Sequence, residues 1–260
     1  AARRTGRPAR THLEADTGMS RGGSPLAAWP GLLARAMALQ AEGAIEIVGL
    51  WSHFACSDIP GHPSIEAQLD AFEAALRLAE KEGAAGSHVI RHMANSAAIM
   101  TLPRAHYDMV RPGAAMYGIS PVPELGDFGL RQAMTLVARI ALAKRVPASS
   151  GVSYGHLYVT DRETTLGLIP LGYADGIFRH ATGRVEVLAG GRRRLAAGRV
   201  CMDQFMIDMG DDPLAAGDEV VLFGPGGEGE PTAQEWADNL GTIVHEIVTR
   251  IGSRVPRVHV

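Results

Sequence analysis

THLEAD, residues 11–16, alternates with the period of two expected of a half-buried strand: Leu13 and Ala15 fall on one face, His12, Glu14 and Asp16 on the other. Such a strand turns its apolar face toward covering helices and its polar face toward a solvated or working space. The neighbouring sequence supplies the helices. PLAAWPGLLARAMALQAEG (25–43) reads as one. After the strand-like AIEIVGLWSHF (44–54), a second opens at Pro63 and Ser64 and carries Ile65, Leu69, Phe72, Leu76 and Ala79 at spacings of four and three before Gly83. SHVIRHMANS (87–96) and YDMVRPG (107–113) read as two more strands. Strand, helix, strand in series predicts a parallel α/β architecture.

Each predicted strand ends in polar residues that its body does not explain: Glu14 and Asp16, then His53, then Asn95 and Ser96, then Arg111. In a (β/α)8 barrel the chemistry sits at the carboxyl ends of the strands. Four strands leave two options, an open sheet or half of a barrel.

From about residue 129 the character changes. MTLVARIALAKRVPA (134–148), TTLGLIPLG (164–172), RVEVLAGGRRRLAAG (184–198), RVCMDQFMIDM (199–209) and DEVVLFG (218–224) read as strands separated by Gly, Asp and Pro, with Gly190-Gly191 a hairpin signal. This predicts a mainly β domain over 129–260, joined to residues 1–128 through PVPELGDFGL (121–130). Thr232 and Glu235 stand in capping-box relation, and Thr242 is expected to open a last helix after Gly241.

The 260 residues carry a net charge of −3 and no long run of like charges, which argues against a nucleic-acid or membrane-surface partner. Cys56 and Cys201 are far apart and lack C-x-x-C spacing, so no disulfide framework or metal site is expected. No apolar stretch reaches the roughly 20 residues that span a bilayer, and a cytoplasmic location is expected. The chain begins with Ala in a short basic lead that soon enters a strand, so it is expected to be part of a longer one.

DTGMSRGG (16–23), HFACSD (53–58), MANSAA (93–98), RPGAAMYGISP (111–121), GVSYGHLYV (151–159), PLGYADG (170–176), GRVCMDQFMID (198–208) and GSRVPRV (252–258) occur in an order that resembles the alanine racemases, which use pyridoxal 5'-phosphate. The resemblance runs from Thr11 to Val260. It implies the C-terminal half of a (β/α)8 TIM-like barrel, its last four strands, followed by a β domain. It also implies a homodimer whose active sites combine the barrel of one chain with the β domain of the other, and two-base interconversion of L- and D-alanine for cell-wall peptidoglycan.

Residue by residue, the resemblance makes Ser96, Gly113 and Ala114 phosphate ligands, with Asn95 and His92 beside the cofactor. On local sequence alone, a tight turn with a capping Ser fits residues 95–96 equally well. Arg111 faces the pyridine nitrogen; the local alternative is an ordinary salt bridge. Because a guanidinium does not give up its proton, that nitrogen stays unprotonated, which favours simple reprotonation over transamination. Tyr154, contributed by the partner chain, is the base for the L face, and His53 is expected to accept its proton and link it to Arg111. Tyr154 as a turn residue and His53 as a core histidine are the plainer alternatives.

The resemblance also implies that Arg21 contacts the cofactor phenolic oxygen and the substrate carboxylate. Glu14 stands where the family commonly has a carbamylated lysine, and a direct or water-bridged Glu14 to Arg21 pair is expected. The resemblance implies that the backbone of Met202 holds the substrate carboxylate and that Asp58, Tyr173, Arg179 and Arg199 form a narrow entrance. The family's Schiff-base lysine segment has no counterpart here: Lys81 falls on a helix and Lys144 on a β-domain strand. The first barrel half is therefore expected to be absent from this chain, and the chain alone inactive. Ser253 stands where a tyrosine is common. That departure keeps a broader serine or amino-acid racemase open, beside an inactive fragment.

Overall fold

The computed structural model describes residues 2–260 and divides into two compact units, residues 1–130 and 131–260. In the first, α1 (Ala2–Thr5) leads into β1 (Ala9–Asp16) and the two-residue β2 (Ser24–Pro25). Then come α2 (Trp29–Ala41), β3 (Ile45–Trp51), α3 (Ser64–Lys81), β4 (Ile90–His92) and α4 (Ser96–Thr101). The strands form one parallel sheet in the order β2-β1-β3-β4.

The alternation of β1 decides what packs where. Leu13 and Ala15 join Leu50, Trp29, Leu33, Leu69 and Phe72 in one core between sheet and helices, and all five predicted stripe residues of α3 are buried. The Trp29 indole N–H donates to the Ala75 carbonyl (3.0 Å), which fixes α2 against α3. The polar face of β1 is left to the opposite side of the sheet.

The predicted strand at 107–113 is reduced to a single bridge, His92 to Met109. The chain does run beside β4, with the Arg111 N–H donating to the Ala94 carbonyl (2.9 Å). However, Tyr107 has a positive φ of 48°, and the Asp108 carboxylate, rather than a strand carbonyl, takes the Arg91 N–H (2.8 Å). Side chain has replaced ladder.

The second unit holds β5 (Leu136–Arg139), β6 (Leu142–Val146), the short hairpin β7 (Gly151–Val152) with β8 (Tyr158–Val159), and β9 (Thr164–Ile169). It continues through β10 (Glu186–Ala189), β11 (Arg192–Ala197), β12 (Phe205–Gly210) and β13 (Glu219–Phe223), and ends in α5 (Ala233–Leu240) and α6 (Val244–Thr249). Seven strands make an antiparallel sheet in the order β5-β13-β10-β11-β12-β9-β6.

The single strand expected over 134–148 is two strands at opposite ends of that sheet. The switch falls at Ile140–Ala141: Ile140 N–H donates to Asp218 O (2.9 Å) and Ala141 N–H to Leu168 O (2.8 Å). Two residues can join the outermost strands only if the sheet curls until its ends meet. The Gly190-Gly191 hairpin and the Thr232/Glu235 capping box are present as read. The last helix starts one residue later than expected, with Ile243 at the cap and the Thr242 hydroxyl bonded to Glu246.

Candidate active site

On the polar side of the first sheet, the ends of β3 and β4 converge on Arg111. Its Nη1 lies 2.6 Å from His92 Nδ1; its Nη2 lies 2.9 Å from His53 Nδ1 and donates to the carbonyls of Ser52 (2.9 Å) and Met93 (3.3 Å). The guanidinium sits 4.8 Å over the Trp51 ring, which in turn stacks on His92. No carboxylate pairs with it among the described residues, so the salt-bridge alternative is not realised. Burial lowers its pKa and the charge of Glu14 opposes that shift. The Nε–H and the second Nη1–H have no acceptor among the described residues. These spare donors suit a ring nitrogen.

Because a guanidinium only donates, both histidines must accept at Nδ1 and carry their proton on Nε2. Burial, then the charges of Arg111 and Arg21, lower the pKa of His53. His53 is thus a neutral ring whose free nitrogen donates. Its Nε2–H has no acceptor among the described residues. His92 is pushed down to about 4 by burial, then by Arg111 and His12. A histidine with a lowered folded pKa binds fewer protons than its unfolded form, so its contribution to stability is complete above 6.5 and is lost as pH falls toward 4. We expect the melting temperature to fall across that window, and a His92→Gln variant to show a flatter profile in the same calorimetric series.

Around this hub, the buried Gln68 of α3 donates to the His53 carbonyl (3.0 Å) and to Thr17 Oγ1 (3.2 Å), while accepting from the Ala55 N–H (2.9 Å). Sequence reading missed it, although it is a polar residue on the apolar stripe of an amphipathic helix. Ser52, whose hydroxyl is 2.7 Å from that of Thr17, was missed as well.

Ser96 Oγ accepts from the N–H groups of Gly113 (2.9 Å) and Ala115 (3.3 Å), and its own O–H has no acceptor among the described residues. The Ser96 O–H next to Arg111, with the Ala114 N–H that has no acceptor among the described residues, can donate to an anion. Asn95 is instead the N-cap of α4: its side chain accepts from Ala98 N–H (3.1 Å) and from Ser57 Oγ (2.9 Å). Together these donors and the spare donors of Arg111 have the chemistry that pyridoxal phosphate would need, for an anion and for a ring acceptor.

Asp16 Oδ1 accepts three successive N–H groups, from Gly18, Met19 and Ser20, shaping the turn that delivers the exposed Arg21. Glu14 and Arg21 form no direct ion pair among the described residues. The Glu14 side chain instead lies under the turn, so that a Cβ on Gly22 would stand 3.0 Å from its Oε2. Its charge acts on Arg111. The carboxylate faces the backbone at Gly22 and Gly23 rather than the guanidinium, so the direct form of the expected pair is not made. Asp58 is exposed on the loop after β3.

In the second unit, Tyr154 stands between β7 and β8 and is 73% exposed. The loop is strained to present it: Ser153 (φ 60°), Gly155 (72°) and His156 (47°) all have positive φ. Ser153 Oγ donates to the Arg199 carbonyl (2.8 Å), and the Arg199 guanidinium passes beside Gly155. Ser153, Tyr154, Cys201 and Lys144 share the lining of a cavity of about 460 Å³.

The exposed Met202 has an N–H that donates to no described residue, while its carbonyl accepts from Ala174 N–H (2.9 Å). Gly172 permits this approach, since a Cβ there would lie 2.3 Å from the Met202 oxygen. Arg254 secures the 172–175 turn by bonding Asp175 (3.0 Å) and Asp203 (2.8 Å). Tyr173 lies on this turn, half-exposed, and Arg179 is exposed just beyond it. Ser253 is exposed, as is Lys81, the last residue of α3. Among the described residues no cluster could hold a metal ion, and no helix is long and apolar enough to cross a membrane.

The comparisons with known proteins agree over both units. Residues 1–121 match the family model described as "Alanine racemase, N-terminal domain", and 133–259 that described as "Alanine racemase, C-terminal domain". The chain is 60% identical to the alanine racemase of Frankia casuarinae, covering all of this chain and 68% of that protein, and 48% identical to that of Mycobacterium tuberculosis, covering all of this chain and 67% of that one. The solved alanine racemase of the D-cycloserine producer Streptomyces lavendulae superposes with a TM-score of 0.96 at 57% identity, over all of this chain and 68% of that one. The enzyme of Streptomyces coelicolor gives 0.95 at 58% identity, over 99% and 68%. Matched over both halves and by relatives of which it covers two thirds or more, this chain belongs to the alanine racemase family.

Proposed function

We propose that this chain supplies the cofactor hub and the L-face proton-transfer group of an alanine racemase. The observation that carries the reading is Arg111, half-buried, without a carboxylate partner and with N–H donors to spare. Bound pyridoxal phosphate would make the α-C–H of the amino acid acidic enough to transfer. Ser96, Gly113 and Ala114 hold its phosphate, and Arg111 donates to its ring nitrogen. Tyr154 of a second copy, as the phenolate, takes the α-proton of L-alanine and, as the phenol so formed, returns it in the reverse direction. The Nε2–H of His53 stabilises the phenol oxygen as it loses its proton, which offsets a free tyrosine pKa near 10. Met202 N–H and Arg21 hold the substrate carboxylate. Glu14 orients Arg21 only at a distance, through charge or a bridging water.

Asp58, Tyr173, Arg179 and Arg199 restrict the entrance to small side chains. The protein acts as a homodimer, and its free cysteines suit the reducing cytoplasm. On the other face of the substrate, the family's lysine serves as base, and neither Lys81 nor Lys144 matches it. Ser253, small and exposed, supports serine as a second substrate. Circular dichroism of L-alanine and L-serine with the cofactor-loaded full-length gene product tests both readings. We expect alanine to racemise at least tenfold faster than serine; comparable rates favour the broader racemase, and no turnover of either removes the proposal.

A further inference from the structure

β1 and β4 are not neighbours in the sheet, since β3 runs between them. Even so, His12 Nδ1 on β1 lies 2.7 Å from His92 Nε2 on β4. The His12 ring crosses β3 where the pairing register places Gly49 opposite it, next to a shift in register between Thr11 and His12. A Cβ at residue 49 would stand 2.1 Å from His12 Nδ1, so glycine alone leaves the crossing open. The polarity of the contact is fixed from Arg111 outward. Arg111 donates to His92 Nδ1, His92 therefore carries its proton on Nε2, and that proton is donated to His12 Nδ1. His92 is buried, and without His12 its Nε2–H would have no acceptor among the described residues.

We propose that His12 is a positioning residue for Arg111, acting through His92, and that Gly49 is the site that permits it. The inference rests on the reading of Arg111 as the partner of the cofactor ring. By accepting the far proton of His92, His12 holds the ring so that Nδ1 faces the guanidinium, and it strengthens that nitrogen as an acceptor. Arg111 is then fixed from behind while its spare N–H groups face the cofactor.

The test uses nitrogen-15 histidine NMR and steady-state kinetics on cofactor-loaded full-length protein. In the parent protein, His92 is expected as the Nε2–H tautomer with a slowly exchanging Nε2 proton. His12→Leu, which has no acceptor, and Gly49→Ala, which expels the ring, should lose that slow proton and lower kcat about tenfold, the scale of one orphaned buried hydrogen bond. Alanine KM should move less than about twofold, because the substrate is not contacted. His12→Asn, whose Oδ1 stands near the position of the lost Nδ1, should recover both the proton signal and most of kcat. Loss of the signal in His12→Leu with kcat unchanged overturns the inference, as does a well-folded His12→Asn that recovers the signal but not kcat. If Arg111→Lys also turns over like the parent, it is the reading of Arg111 that fails, while the NMR result on the relay stands.

Discussion

Tyr154→Phe lowers kcat from L-alanine by about 10²- to 10⁴-fold, the usual worth of a positioned acid–base group. The substitution removes one oxygen from a side chain that is already 73% exposed, so folding and melting temperature stay within experimental scatter of the parent. The loss falls on turnover in both directions, because the same group takes the proton from L-alanine in one direction and supplies the proton that makes L-alanine in the other. Exchange of the α-hydrogen of D-alanine with deuterated solvent is spared, since that face is served by a different base. Proton NMR in heavy water reads exchange and racemisation from the same sample. A variant that keeps more than a third of parental kcat would assign the L face to another group.

Arg111→Lys has the second large effect. The charge is retained, but one ammonium replaces a planar fork that now reaches two imidazoles, two carbonyls and the Trp51 face. An ammonium cannot span His92 and His53 together, so at least one buried acceptor loses its donor at a cost of roughly 1–3 kcal/mol. We expect kcat to drop by about 10²-fold, as when a preorganised donor is withdrawn from a reaction centre, together with a lower melting temperature and weaker cofactor retention on dialysis. Arg111→Ala should be worse on all three measures. If lysine restores full turnover, charge alone is sufficient at this position and the fork has no role.

Much of the scaffold could be read before any coordinates. THLEAD gave its two faces because a strand buried on one side must alternate, and the α3 stripe was visible because five apolar residues repeat with helical spacing. What the sequence concealed depends on contacts between segments. YDMVRPG has the composition of a strand, but Asp108 takes the N–H that a ladder would have used. MTLVARIALAKRVPA is one unbroken apolar run, and nothing in its periodicity marks the change of partner at Ile140–Ala141. The same holds in the site. Arg111, His53 and Ser96 stood out as polar residues at strand ends. His12 did not, because its importance comes from a glycine on the neighbouring strand and a register shift that no local pattern reports. Glu14 is legible as a negative charge near Arg21, but the direction its carboxylate takes, toward Gly22 and Gly23, is not. Asn95 is expected beside the cofactor, and what the sequence hides is that its Oδ1 caps a helix too short to show a period.

β5 pairs in the sheet only with β13, so Leu136 waits for Phe223 to be made before it has a partner. At ribosomal speeds of about 5–20 residues per second, the delay is roughly 4–17 s. During synthesis the nascent second unit therefore leaves the backbone N–H and C=O groups of this short strand without their partner on the time scale on which neighbouring chains on one polysome can meet. Slower translation would lengthen that exposure. Yield of this protein in a foreign host should accordingly respond to holdase chaperones and codon pace more than to any change in its finished stability.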